Sequence, residues 1–332
     1  MRSVRFTPDG KTLASASDDG TIRLIDCSAA YSGASPPEQP GIVTSISFSS
    51  DSEFLATSND KNEGRLWSVL AGDSMAFPPN QSDQGVCCMA FSPIGGTLAI
   101  GRSDGTVNLV DPITGKQRID IACPQAVLRS LIFSPDGEMM AGCFSNGEIK
   151  VWDTRIGKEL HSMNTGHDYD HRSIAFSPDG KTLASQKEDI VNRLDVTTYQ
   201  LSVLGNRRPR EISCIAYAPD GQRLAIGWSK QIEFWDTATD QQTAILLGQG
   251  GDIRSLAFAP DGRTVASGSN VGEVRLWDMA TKQELFSLAG HTGSVNCMSF
   301  SPDGKTLATA GAKPDGHGEI RFWRTGIGTS KN

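Results

Sequence analysis

The chain has 332 residues, 38% of them apolar, and at that length it can bury about three quarters of the surface it exposes when unfolded, so size does not limit folding. A net charge of −7 excludes a general polyanion binder, which carries a basic excess, and no apolar run approaches the roughly 20 residues of a membrane span. Seven cysteines, odd in number and without Cys-x-x-Cys pairs, exclude the common zinc and redox motifs and fit a reducing compartment; no charged-then-apolar leader follows Met1.

A repeated unit organises the rest. An aromatic recurs at Phe6, Phe48, Phe91, Phe133, Phe176, Tyr217, Phe258 and Phe300, always 41 to 43 residues apart, which divides the chain into eight units. Residues 255–278 show the unit most regularly. Alternation around Leu256 and Phe258 predicts an inner strand, and Ala259-Pro260-Asp261-Gly262 predicts a tight turn, because proline presets a negative φ and glycine accepts the positive φ that closes the hairpin. A second strand carries Val265 and Ala266, a third ends in Trp277-Asp278, and a weaker fourth run leads to the next unit. The second-strand alanine recurs as Ala14, Ala56, Ala99, Ala141, Ala184, Ala225, Ala266 and Ala308, as expected where sheets converge and only a small side chain fits. Cys88, Cys214 and Cys297 share an inner-strand position otherwise held by Ser3, Ser45, Ser130, Ser173 and Ser255, and so read as small packing residues.

In chain order, unit one runs into a connection containing Pro36, Pro37 and Pro40, so its outer strand should be short or absent. Unit two has Ser49-Ser50-Asp51-Ser52 where proline and glycine are usual, and Pro78 and Pro79 cut its outer strand. Units three and four have better outer runs at 116–122 and 158–163. Unit five deviates at its second hairpin, 186–189, before the basic connection Asn206-Arg207-Arg208-Pro209-Arg210. Units six to eight are the most regular, and no segment reads as a long helix or linker.

Four short strands per unit, the period near 42, Trp-Asp at 152–153, 235–236 and 277–278, and Gly-His at 166–167 and 290–291 resemble the WD-repeat β-propeller family. The resemblance implies an all-β fold over residues 1–324: a single eight-bladed β-propeller of four-stranded antiparallel blades, the last blade lacking a proper outer strand, with 325–332 a short tail. Ring closure should be imperfect, because so little chain precedes Val4; Met1 sits where other units carry Val or Ile, which suggests a start inside a longer protein. The family's His, Ser/Thr, Asp and Trp hydrogen-bond network is not complete in any unit as read from sequence, so blade stability should rest on packing.

Three stretches mimic other chemistry. Gly101-Arg102-Ser103-Asp104-Gly105 has nucleophile-elbow spacing but lies in a repeat hairpin rather than between a strand and a helix. Residues 167–171 (HDYDH) carry metal-ligand types, yet no third or fourth ligand is assignable, and Asn80-Gln81-Ser82 is a bare glycosylation triplet. No metal and no cofactor are expected.

The resemblance places the inner strand's start and the second hairpin on one face. Eleven residues past each aromatic lie Ser17, Asn59, Arg102, Phe144, Lys187, Trp228, Ser269 and Gly311; four before it lie Arg2, Thr44, Cys87, Arg129, Arg172, Ser213, Arg254 and Asn296. Surface Trp and Arg dominate binding interfaces. The expected working surface is therefore a basic, aromatic-bearing arc of Arg102, Phe144, Lys187 and Trp228, flanked by Arg129, Arg172, Arg254 and the Arg207, Arg208 and Arg210 loop. Its partner should be a protein or peptide, acidic or phosphorylated, because arginine forks pair carboxylate and phosphate oxygens. The function expected is a non-enzymatic interaction scaffold: a cytoplasmic monomer that binds neither nucleic acid nor membrane. The alternatives are a sensory or docking module cut from a larger multidomain protein, such as one carrying a kinase or NTPase, and a propeller enzyme with a channel-mouth active site.

Overall fold

The alternating runs of each unit form the strands expected of them. The computed structural model describes residues 3–6, 12–16, 22–26, 38–69, 74–75, 84–123, 126–164, 173–205 and 211–324. Units two to eight each form one antiparallel sheet whose four strands pair in spatial order. In unit four these are Leu128–Phe133, Met139–Phe144, Glu148–Asp153 and Glu159–Asn164. The Pro-Asp-Gly turns close as predicted, with Gly137, Gly180, Gly221, Gly262 and Gly304 all at φ between 67° and 70°.

The ring has seven blades, not the eight that the repeat count predicts. Unit eight's inner strand, Val295–Phe300, packs directly on unit two's, Val43–Phe48. Unit one's strands, Ser3–Phe6, Thr12–Ala16 and Ile22–Asp26, form a separate three-stranded sheet. Repeat period counts units, but ring number is set by which strand pairs with the last blade's open edge. That strand is Glu38–Gln39, from the connection that would have supplied unit one's outer strand; it pairs with Gly318 and Glu319 of unit eight. Unit eight thus gains the outer strand it was expected to lack, and unit one is left with three.

The closing seam is as apolar as any other. Val43, Phe48, Leu55 and Trp67 of unit two share one cluster with Ala308, Ala310, Ile320 and Phe322 of unit eight. Around the ring every second-strand alanine from Ala56 to Ala308 is fully buried, which bears out the close convergence of sheets. The inner-strand serines bond sideways between blades: Ser47 accepts from the Phe91 amide at 2.9 Å, Ser173 from the Ile215 amide at 2.9 Å, and Ser255 donates to the Val295 carbonyl at 3.1 Å. Small polar residues on this face therefore tie neighbouring blades together. Arg193 of unit five also reaches unit six, pairing with Asp240 at 2.8 Å.

Two units hold a polar network of related design with substituted members. In unit eight, His291 contacts Thr309 Oγ1 at 2.7 Å, the Trp323 indole donates to the same hydroxyl at 2.8 Å, and the Glu319 carboxylate stands 3.1 Å from His291 Nδ1. In unit seven Gln249 replaces the histidine, accepting from Ser267, which accepts from the Trp277 indole at 2.8 Å. The sequence reading missed both because it required identical residue types. Sequence offset from the tryptophan, with any residue able to donate or accept, would have found them.

Candidate functional site

Antiparallel pairing puts two sets of connections on each end of the ring. Loops entering the inner strands lie beside the second hairpins, as in the bonds Asp60 N to Ile42 O at 2.9 Å, Ser145 N to Val127 O at 2.8 Å and Asn270 N to Asp252 O at 2.9 Å. This is the face expected to work. A central channel of about 1060 Å³ opens through the ring, walled by the inner strands.

Arg129 of unit four and Arg254 of unit seven are exposed and line this channel, each one residue into its inner strand. Thr44, Ser213 and Asn296 line it at the same repeat position, and exposed Glu211 joins them. The Arg129 charge reaches the neighbouring blade: burial pushes the Cys87 thiol up, and Arg129 opposes that shift. Described charges on the channel wall are therefore two guanidiniums and one carboxylate, whereas the chain as a whole is acidic.

The hairpin half of the expected arc is mostly internal. Arg102 is 6% exposed; its guanidinium donates to Asn108 and, at 3.1 Å, to the Gln84 carbonyl, and burial lowers its pKa. Phe144 is 1% exposed and meets Trp152 edge-on, ring centroids 6.2 Å apart. Asn59 and Ser269 at the equivalent position are buried too. The physical reason is that the second strand is covered on both faces, and at its end the loop that enters the blade lies over it: Arg102 donates to the Gln84 carbonyl and Asn59 to the Pro40 carbonyl.

Trp228 is half-buried and its indole donates to Glu233 Oε1 at 2.9 Å, while the Trp235 indole donates to Oε2 of the same carboxylate at 2.9 Å. Unit six has Ile226 where units two, seven and eight carry the hydroxyl of Thr57, Ser267 and Thr309, so Glu233 takes over as acceptor. Trp228 therefore has a folding role beside the binding role that the sequence led us to expect. Lys187 is half-buried at the end of a tight two-residue hairpin. Arg172, Arg207, Arg208 and Arg210 lie outside the described residues, as does the 167–171 loop. Among the described residues no group of His, Cys, Asp and Glu is placed to hold a metal ion.

Comparison with known proteins agrees with this architecture. The family model described as WD domain, G-beta repeat matches residues 1–26, 32–68, 74–111, 119–153 and 282–324, more than half of the chain, and that of the anaphase-promoting complex subunit 4 WD40 domain matches 235–301. Protein tipD of Dictyostelium discoideum is 34% identical over 82 residues, 25% of this chain and 13% of that protein. WD repeat and SOCS box-containing protein 1 of Homo sapiens is 33% identical over 89 residues, 26% of this chain and 21% of that protein. SEC12-like protein 1 of Arabidopsis thaliana is 29% identical over 119 residues, 34% of this chain and 30% of that protein. The matches span less than a third of these relatives' own lengths. Repeat, blade and family model converge: the chain belongs to the WD-repeat family and folds as a seven-bladed β-propeller.

Proposed function

We propose that the ring is a non-enzymatic scaffold of a reducing, cytoplasmic compartment whose channel mouth receives an acidic or phosphorylated segment of a protein partner. The observation that carries this reading is the pair of exposed arginines, Arg129 and Arg254, at one repeat position of an acidic protein. They project from blades three apart in the ring, so a segment laid across the mouth can meet both. A guanidinium pairs bidentately with carboxylate or phosphate, and a rigid ring fixes the donors before binding, which lowers the ordering cost. Half-buried Lys187 stands on the same face, and Arg172 with the 207–210 arginines extends the reading along units five and six. Phe144 and Arg102 drop out as contacts because they are consumed inside their blades.

The test is binding of a fluorescein-labelled phosphoserine/glutamate peptide with a central leucine, followed by polarisation. Arg129→Ala with Arg254→Ala should weaken it at least tenfold, about 1.4 kcal/mol, with thermal unfolding unchanged. Equal affinity of wild type and double variant would remove the channel mouth as the site.

A further inference from the structure

Among the described residues the channel wall carries one carboxylate, Glu211. Six residues before the repeat aromatic, the loop entering the inner strand holds Ile42, Gly85 and Val127 in units two to four and Ser294 in unit eight. Unit six has Glu211 there and unit seven Asp252, while Asp170 of unit five lies outside the described residues. Of the described set Ile42, Glu211 and Ser294 line the channel, so Glu211 is the charged one. The main chain beside it is pinned. Ile212 is 1% exposed, packs with Val191, Ile215 and Leu224, and donates its amide to the Glu188 carbonyl at 2.7 Å. Its carbonyl accepts from Gln186 Nε2, so the second hairpin of unit five holds this residue by both of its backbone groups. The backbone is thus fixed where Glu211 leaves it.

The side chain has nothing of its own to bind. Glu211 is exposed, and among the described residues it has neither a hydrogen-bond nor an ion-pair partner. A second acceptor on the same wall is in a similar condition. Because Gln186 gives its amide nitrogen to the Ile212 carbonyl, its oxygen Oε1 is the end left over, and that atom is buried without a donor. Gln186 lines the channel as well. Two oxygens lacking donors, one of them charged, set a negative potential on this sector of the wall. Lys187, the next residue after Gln186, alternates to the other face of its strand and does not line the channel.

Its place among the arginines gives this potential a meaning. Arg129 stands in unit four and Arg254 in unit seven, and the inner strands of units four, five, six and seven follow one another around the ring, so along that wall Glu211 comes between them. On the path through units eight, two and three the arginines' repeat position holds Asn296, Thr44 and Cys87, none of them charged. A wholly acidic segment on the first path meets like charge at Glu211, whereas a segment with a cation there gains a third ion pair. A carboxylate that repels the wrong segment and attracts the right one supplies selectivity rather than raw affinity.

We propose that Glu211 receives a lysine or arginine of the bound segment, so that the segment's charges run acidic, basic, acidic along units four to seven. This third contact rests on the channel-mouth reading, to which it adds the middle charge. The probes are three fluorescein-labelled peptides read by polarisation, with glutamates flanking a central lysine, acetyl-lysine or glutamate. Acetyl-lysine keeps the stem and removes the charge. Each is measured against wild type, Glu211→Gln, Glu211→Lys and the Arg129→Ala, Arg254→Ala double variant. Wild type should bind the lysine peptide about fivefold tighter than the acetyl-lysine peptide, as one exposed ion pair allows, and the glutamate peptide most weakly. Glu211→Gln should lose that preference while keeping its affinity for the acetyl-lysine peptide, and Glu211→Lys should prefer the glutamate peptide. If Glu211→Lys fails to fold, Glu211→Gln alone decides. Equal binding of the lysine and acetyl-lysine peptides by wild type, with the two arginines still required, would overturn the assignment of Glu211 and leave the channel-mouth reading standing. A lysine preference that survives in Glu211→Gln would overturn it too, because the attraction then comes from the net charge of the chain. Affinity for the acetyl-lysine peptide that the arginine double variant keeps in full would remove the channel-mouth site, and the role of Glu211 with it.

Discussion

Removing residues 1–37 should leave the ring intact, whereas removing 1–39 should loosen it. The first deletion takes away the three-stranded sheet of unit one, whose strands pair only with one another, and leaves Glu38–Gln39 free to pair with unit eight. The second also takes the latch, which pairs Gln39 with Gly318 and Glu38 with Glu319. Two ladder pairs at about 0.5–1.5 kcal/mol each give roughly 1–3 kcal/mol. For a domain of this size 1 kcal/mol moves Tm by about 2–4 °C, so the second deletion should lower Tm by roughly 2–12 °C relative to the first. The loss is modest because the seam's apolar cluster, from Val43 and Trp67 across to Ile320 and Phe322, stays buried without the latch. Thermal unfolding followed by far-ultraviolet circular dichroism, on both deletions and the full chain, reads the difference. If removal of 1–37 costs as much as removal of a whole blade, unit one is a ring member and the seven-blade closure is wrong. If the two deletions melt together, the Glu38–Gln39 pairing contributes nothing.

Three further outcomes follow from the packing. Ala266→Leu adds volume at a fully buried point where blades converge and should destabilise by about 1–3 kcal/mol in urea unfolding, while a change at an exposed turn such as Val271→Thr should stay within about 0.5 kcal/mol. Glu233→Ala leaves the Trp228 and Trp235 indoles without their acceptor and should cost about 2–4 kcal/mol, with Glu233→Gln milder because its carbonyl oxygen still accepts one of them; a loss under about 1 kcal/mol would refute the two-indole clamp. Burial pushes the Glu319 carboxyl up, but the hydrogen bond and charge of His291 and the Arg321 guanidinium overcome it and hold it at about 2, below the ordinary 4.5. With the folded value depressed, its stabilisation is complete above about pH 4.5 and is lost as pH falls toward 2. Urea midpoints measured across that interval should fall less steeply in Glu319→Gln than in wild type.

The strands and the turns were legible because each is encoded locally: alternation, Pro-Asp-Gly and a small residue at every convergence point are decisions made within a few residues. Ring number was not, because it depends on Glu38–Gln39 choosing an edge some 280 residues away, and nothing in that dipeptide distinguishes a fourth strand for unit one from a latch for unit eight. The exposure of the expected surface was half legible for a related reason. The exposure of Arg129 and Arg254 was legible because the inner-strand position they occupy lines the channel, as it does at Thr44, Ser213 and Asn296. Eleven residues past the aromatic, Asn59, Arg102, Phe144 and Ser269 are buried while Lys187 and Trp228 are half-buried, so repeat position does not fix exposure there, and Arg102 and Trp228 are held by hydrogen bonds within their own repeat. The two faces thus call for opposite arguments. Where a repeat position is buried, an odd residue signals an altered network, and a compensating partner lies within the same blade, as Glu233 does for Ile226. Where the position is exposed, as at Ile94, Ile113 and Ile156, folding sets little constraint on the side chain, and a departure from the repeat needs no compensating partner within the blade.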